Sequence, residues 1–272
     1  MNIKVLGTLD VRENGVSVMP TAPKPRQVLA LLALHADQVV SVASLTEELW
    51  GLTPPRSART TLQTYVLQLR ELIGAALEAG RPKDGAGRTA KDVLVTLPGG
   101  YLLDSGGGTS DVREFEQLAG AGYRAMDAGD LQGAARQLRR ALDLWSGPAF
   151  ADVQAGEQLQ TEARRLEETR LFALDQRIEA DLRLGRHRDL LAELTVLVNR
   201  YPTHETLRGQ YMLALHRSGR RSEALEAYQR LRATLVREMG LEPSAELRRI
   251  QRLILMAGPE TAPEQRATPA SA

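Results

Sequence analysis

The sequence predicts a chain in two parts: an α+β N-terminal domain, then an all-α array of stacked helical hairpins. Three observations carry this. Short apolar–polar alternations broken by a turn dipeptide open the chain. A long helix-periodic run over residues 57–73 follows two shorter helical segments and precedes a second alternating pair. Beyond a Gly-rich stretch at 104–110, helical periodicity continues to about residue 257 and repeats. At roughly 150 residues per domain, 272 residues leave room for two. The expected division is residues 1–104, a linker at 105–110, the helical array at 111–257 and a disordered tail at 258–272.

Taken in order, Ile3 and Val5, Leu9 and Val11, then Val16 and Val18 alternate with polar neighbours, and Asn14-Gly15 is a hairpin signal. Helical periodicity takes over at Lys24-Pro25-Arg26, where proline suits a first turn and Val28, Leu31 and Leu32 supply the buried stripe. Ser44 and Glu47 have capping-box spacing and predict a short helix holding Leu45, Leu49 and Trp50. Pro54-Pro55 makes the next connector rigid.

In the long helix Leu62, Tyr65, Val66, Leu69, Leu72 and Ile73 share one face. Thr60, Gln63, Thr64, Leu67 and Glu71 lie opposite, flanked by Arg59, Gln68 and Arg70. Residues 80–91 read as a polar, basic loop. Val93, Val95 and Leu97 alternate, Pro98-Gly99-Gly100 turns, and Tyr101-Leu102-Leu103 returns as a hairpin. In the second half Gly185 and Gly219 stand 34 residues apart, the tetratricopeptide period. Ala224, Tyr228, Leu231 and Leu235 match Leu190, Leu194, Leu197 and Tyr201. Gly129 opens a third copy, with Ala134, Leu138, Ala141 and Trp145 at the same offsets.

Composition excludes several classes. There is no cysteine, so disulfides, thiolate metal sites and cysteine nucleophiles are absent, which fits a reducing cytoplasm. The opening Met-Asn-Ile-Lys-Val has no signal-peptide core, and no apolar run is long enough to span a membrane. The four histidines have no carboxylate partners at metal-ligand spacing. No catalytic constellation or phosphate cradle is legible, so neither an enzyme nor a cofactor is expected.

By itself the long helix matches an ordinary surface helix; its context decides. A helix pair followed directly by a hairpin is the order of a winged helix-turn-helix, whose second helix enters the major groove. Amides, hydroxyls and guanidinium groups are the side chains that read base edges and grip phosphates. Arg56, Arg59, Arg70, Arg81, Lys83, Arg88 and Lys91 outnumber Glu71, Glu78 and Asp84 between residues 52 and 91, although the net charge of the chain is only +1.

These residues bear a resemblance. Leu6-Gly-Thr-Leu-Asp-Val-Arg-Glu-Asn-Gly15, Lys24-Pro-Arg-Gln-Val-Leu-Ala-Leu-Leu-Ala33, Glu48-Leu-Trp-Gly51, Pro54-Pro55, Thr61-Leu-Gln-Thr-Tyr-Val-Leu-Gln-Leu-Arg70, Leu97-Pro-Gly-Gly-Tyr101 and Glu238-Met-Gly-Leu-Glu-Pro-Ser244 resemble the Streptomyces antibiotic regulatory proteins. The resemblance covers nearly the whole chain. It implies an OmpR-type winged helix followed by a tetratricopeptide-like bacterial transcriptional activation domain. It also implies an activator of an antibiotic or secondary-metabolite cluster that binds direct repeats near the promoter −35 region. Side-by-side protomers and contact with RNA polymerase holoenzyme, including its sigma subunit, come with it. The loop at 80–91 is longer and richer in glycine than the family's usual link.

The expected DNA-binding residues are Arg56, Arg59, Thr60, Thr61, Gln63, Thr64, Gln68, Arg70, Arg88, Lys91, Gly99 and Gly100. Trp50, Leu52, Thr53, Pro54 and Pro55 form the expected polymerase contact. Rival readings are a tetratricopeptide-like interaction scaffold and a repressor at the same repeats.

Overall fold

The computed structural model describes residues 1–80 and 87–257. Arg81, Lys83 and Asp84 of the basic loop, and the expected disordered tail at 258–272, lie outside the described residues. Contacts divide the chain into two compact units, Met1–Gln176 and Arg177–Ala272.

The first unit opens with β1 (Asn2–Lys4), β2 (Asp10–Glu13) and β3 (Val16–Ser17), joined as an antiparallel meander. Asn14 and Gly15 both have positive φ, the geometry of the tight hairpin turn their dipeptide predicts. Next come α1 (Pro23–Leu34), β4 (Val39–Ser41), α2 (Val42–Trp50) and α3 (Ala58–Ala79). A one-turn α4 (Ala90–Val93) then leads into the hairpin β5 (Leu94–Leu97) and β6 (Gly100–Leu103). β4 pairs with β6, so the winged helix carries a second, three-stranded sheet in the order β4-β6-β5.

Two local expectations need correction. The N-cap of α2 is Ser41, whose Oγ accepts from the Ser44 amide, so Ser44 lies in the first turn. Strand β4 delivers the chain straight into α2 three residues earlier than the capping-box spacing indicates. Residues 90–93, read as loop and strand start, form α4, with its N-cap Thr89 and Asp92 as a capping box.

Packing does not break at the expected linker. Thr109–Ser110 form β7, which pairs in parallel with β1 and completes the order β3-β2-β1-β7. The chain continues into α5 (Asp111–Asp127), α6 (Leu131–Leu142) and the start of α7 (Glu157–Arg183). One hydrophobic core runs from Val5, Leu31, Leu45, Leu62 and Leu69 through Phe115, Leu138, Trp145 and Leu159. Phe115 and Trp145 meet edge to face at 5.5 Å.

Carboxylates join the two halves of that core. Asp111 Oδ2 accepts the amides of Val5 and Leu6 at 2.7 and 2.8 Å. Burial pushes the Asp111 carboxyl above its ordinary range, partly offset by these amides. Asp152 accepts the Leu9 amide and pairs with Arg26 at 2.8 Å, and Arg113 pairs with Asp37. Glu48 on α2 is buried; it accepts from Gln27 of α1 and from the amides of Gly156 and Leu159 at the start of α7. Those amides have no intrahelical partner, so a side chain from another element caps the helix. The backbones approach so closely there that a Cβ on Gly156 would lie 2.0 Å from the Glu48 carbonyl oxygen.

The second unit contains the end of α7, α8 (Leu191–Arg200), α9 (Glu205–Arg217), α10 (Arg221–Met239) and α11 (Ala245–Met256). Its repeat is a local structural one. Gly185 and Gly219, like Gly129 in the first unit, have φ of 76–80° and end a helix the same way. The amide after each glycine reaches the carbonyl five residues back: Asp130 to Ala125, Arg186 to Asp181 and Arg220 to Leu215. This is the Schellman closure, and its left-handed position strongly favours glycine. After each glycine the matching positions turn inward: Leu138, Leu194 and Tyr228 are all buried.

Candidate nucleic-acid interface

The sequence of α3 sets its two faces. Leu62, Val66, Leu69 and Ile73 are buried at heptad-like spacing against the core, while Tyr65 and Leu72 are half-buried at its edge. The opposite stripe, Thr60, Gln63, Thr64, Leu67, Gln68 and Glu71, is exposed, and Arg56 and Arg59 are exposed at the helix entrance. Among the described residues Arg56, Arg59, Gln63 and Gln68 make no side-chain hydrogen bond or ion pair. Their donors and acceptors are therefore available to a ligand. Thr64 Oγ1 donates to the Thr60 carbonyl at 3.1 Å, which keeps its lone pairs directed outward. Thr61 is half-buried and lies beside this stripe.

Four expected contact residues are placed elsewhere. The Arg70 guanidinium donates to the Leu94 carbonyl at 2.7 and 3.0 Å and to Thr96 Oγ1 at 2.8 Å, bracing α3 against β5. Arg88 pairs with Asp104 at 2.9 Å and donates to the carbonyls of Asp92 and Asp104, at the end of the hairpin away from its tip. Lys91 is exposed, but it lies on α4, where Ala90 packs beside Gly74, about 9 Å of helix rise beyond Gln68. Gly100 is buried under β4. Gly99, with Pro98, forms the exposed hairpin tip, and its carbonyl accepts from the Val42 amide at 2.9 Å, which seats the tip beside the start of α2.

The connector between α2 and α3 is held at both ends. The Gly51 amide reaches the Glu47 carbonyl at 2.7 Å, and the Ala58 amide reaches the Pro55 carbonyl at 2.9 Å. Between them Leu52, Thr53, Pro54 and Pro55 are exposed, Leu52 at 92%. Trp50, expected with them, is half-buried against the core and anchors the connector instead.

The polar groups that reach outward from the first half of α3 are therefore amides and hydroxyls, with two unpaired arginines at the helix entrance and Glu71 one turn beyond Gln68. Such a face can hydrogen-bond base edges while the arginines take phosphates. This arrangement yields a contrast. Arg59→Ala is expected to make the salt dependence of DNA affinity shallower by about one. Arg70→Ala is expected to leave that slope unchanged while destabilising the α3–wing contact. Titrations at four salt concentrations on both variants check this, and a shallower slope for Arg70→Ala would return that residue to the phosphate contacts.

Comparison with known proteins agrees with this architecture. Residues 110–255 match the bacterial transcriptional activator domain, and residues 17–82 match the C-terminal domain of transcriptional regulatory proteins. Regulatory protein DnrI of Streptomyces peucetius is 54% identical over 95% of this chain and 93% of its own. Regulatory protein AfsR of Streptomyces coelicolor is 37% identical over 97% of this chain, which spans only 25% of that larger protein. The structure of Mycobacterium tuberculosis EmbR, solved in complex with a low-affinity phosphopeptide, superposes with a TM-score of 0.83. It is 33% identical and covers 93% of this chain, and 64% of EmbR is covered in return. Among the described residues no helix is long and apolar enough to cross a membrane.

Proposed function

The chain belongs to the Streptomyces antibiotic regulatory protein family of transcriptional regulators, and from that premise we propose that it activates transcription of a secondary-metabolite cluster. It does so by binding direct repeats near the −35 region of its promoters. In this reading α3 enters the major groove, with Gln63, Thr64 and Gln68 at base edges and Arg56, Arg59 and Thr60 at phosphates. The Pro98–Gly99 tip lies along the neighbouring backbone. The observation that carries the reading is the outward stripe of α3, exposed and unpaired at Gln63 and Gln68, while the opposite stripe, Leu62, Val66, Leu69 and Ile73, is locked into the core.

Two further elements are part of the proposal. The connector at Leu52–Pro55 is the polymerase contact, because a leucine this exposed on a connector pinned at both ends presents a fixed apolar point to a partner. Binding of side-by-side protomers follows from charge: among the described residues two unpaired arginines, Arg56 and Arg59, stand at the entrance of the reading stripe, so one protomer makes few phosphate contacts and repeats supply the rest. The proposal assigns DNA reading to residues 1–104 and activation to residues 111–257.

Transcription reconstituted with polymerase holoenzyme and a promoter carrying the bound repeats tests this. The expected result is a rise in transcript that Leu52→Ala removes without changing DNA affinity. Reduced transcript would make the protein a repressor, and no DNA binding would leave it a protein-interaction scaffold.

A further inference from the structure

Leu67 breaks the character of the face that α3 turns outward. It is 57% exposed and takes no part in the core. Gln63 and Thr64 precede it by one helical turn, and Glu71 follows by one turn, all exposed. A single exposed leucine is ordinary on a protein surface. Its position here is not: it stands within a stripe whose other members, Thr60, Gln63, Thr64, Gln68 and Glu71, are all polar.

Major-groove edges present hydrogen-bond donors and acceptors on every base pair, but one apolar group, the thymine 5-methyl. A leucine pressed among those edges covers donors and acceptors it cannot satisfy unless it meets that methyl. Gln63 and Leu67 differ by about 6 Å of helix rise, close to two base-pair steps, so both reach bases within one half-site.

We propose that Leu67 reads a thymine methyl in each half-site, fixing a T·A pair about two steps from the base that Gln63 contacts. This rests on the reading of α3 as the DNA-recognition helix. It adds a determinant of specificity, in apolar contact, to the polar residues that carry the sequence-level expectation.

The test separates the two ideas. A duplex is selected from a random pool by the full-length protein, and each thymine of a half-site is then replaced singly by deoxyuridine. That change removes the methyl and keeps every hydrogen-bonding group. The expected result is one position at which the wild-type protein binds about fourfold more weakly, the worth of one buried methyl-sized group. Leu67→Ala is expected to bind the original duplex more weakly and to be indifferent to uridine at that position. Wild-type indifference at every thymine overturns the proposal, as does a uridine effect that persists undiminished in Leu67→Ala. Either result leaves α3 as the reading helix. Failure of the protein to select any sequence overturns both.

Discussion

Glu48→Ala is expected to unfold the first unit more readily than any exposed change on α3, by about 3 kcal/mol. The carboxylate is buried and serves three donors on two elements, Gln27 Nε2 and the amides of Gly156 and Leu159. Removing it leaves unmet the amide of half-buried Gly156, just before α7, and that of buried Leu159 in the first turn. Each such loss is worth about 1–3 kcal/mol. For a unit of this size the melting temperature should fall by roughly 6–12 °C. Glu48→Gln retains one acceptor oxygen and the shape, and should lose about half as much. Denaturant melts of both variants check the ordering. Equal stability of Glu48→Ala and wild type would mean that α2 and α7 are not held through this side chain. Because α2 and α3 pack on the same core, the change should also weaken DNA binding near the melting range and leave it intact well below.

Gly100→Ala is the second large effect, and it separates packing from DNA contact in the wing. A Cβ at Gly100 would lie 2.4 Å from the Val40 carbonyl oxygen and 2.9 Å from Val39 Cγ1. The first of these is backbone in the paired strand, with Ser41 opposite Gly100, so no rotamer change relieves it. Forced repacking of this kind costs about 1–3 kcal/mol, and here the expected loss is at the upper end. Gly99→Ala meets nothing within 4 Å and bears only the strain of φ +83°, about 1 kcal/mol. Chemical denaturation should therefore rank Gly100→Ala well below Gly99→Ala in stability. If Gly100 instead acted by touching DNA, its alanine variant would keep wild-type stability and lose affinity alone.

Much of the fold was legible because its signals are local. The Asn14-Gly15 turn, Pro25 in the first turn of α1 and the buried stripe from Leu62 to Ile73 need no partner to be read. So does the recurrence of glycine before each repeat helix. What escaped was set by tertiary pairing. β4 is three residues long and exists because Val39–Ser41 lie against β6, and that pairing moved the N-cap of α2 to Ser41. Residues 105–110 have linker composition, yet two of them add a strand to β1. Arg70 and Arg88 counted as basic flanks in the sequence. Arginine side chains are long enough to find carbonyls and carboxylates on another element, and here they brace the wing. Among the described residues Arg56, Arg59, Gln63 and Gln68 make no such bond. The fold alone makes that visible, and it narrows the candidate interface to the first half of α3.

The most direct measurement is the equilibrium affinity of the full chain for a selected duplex and for a scrambled one of equal length, each between ~50 and ~200 mM salt. The expected result is a fall of orders of magnitude on both duplexes as salt rises, with a preference for the selected duplex of ~10³ or more kept throughout. Equal affinity for the two duplexes, or a response flat in salt, would contradict the reading of α3 as a sequence-specific recognition helix.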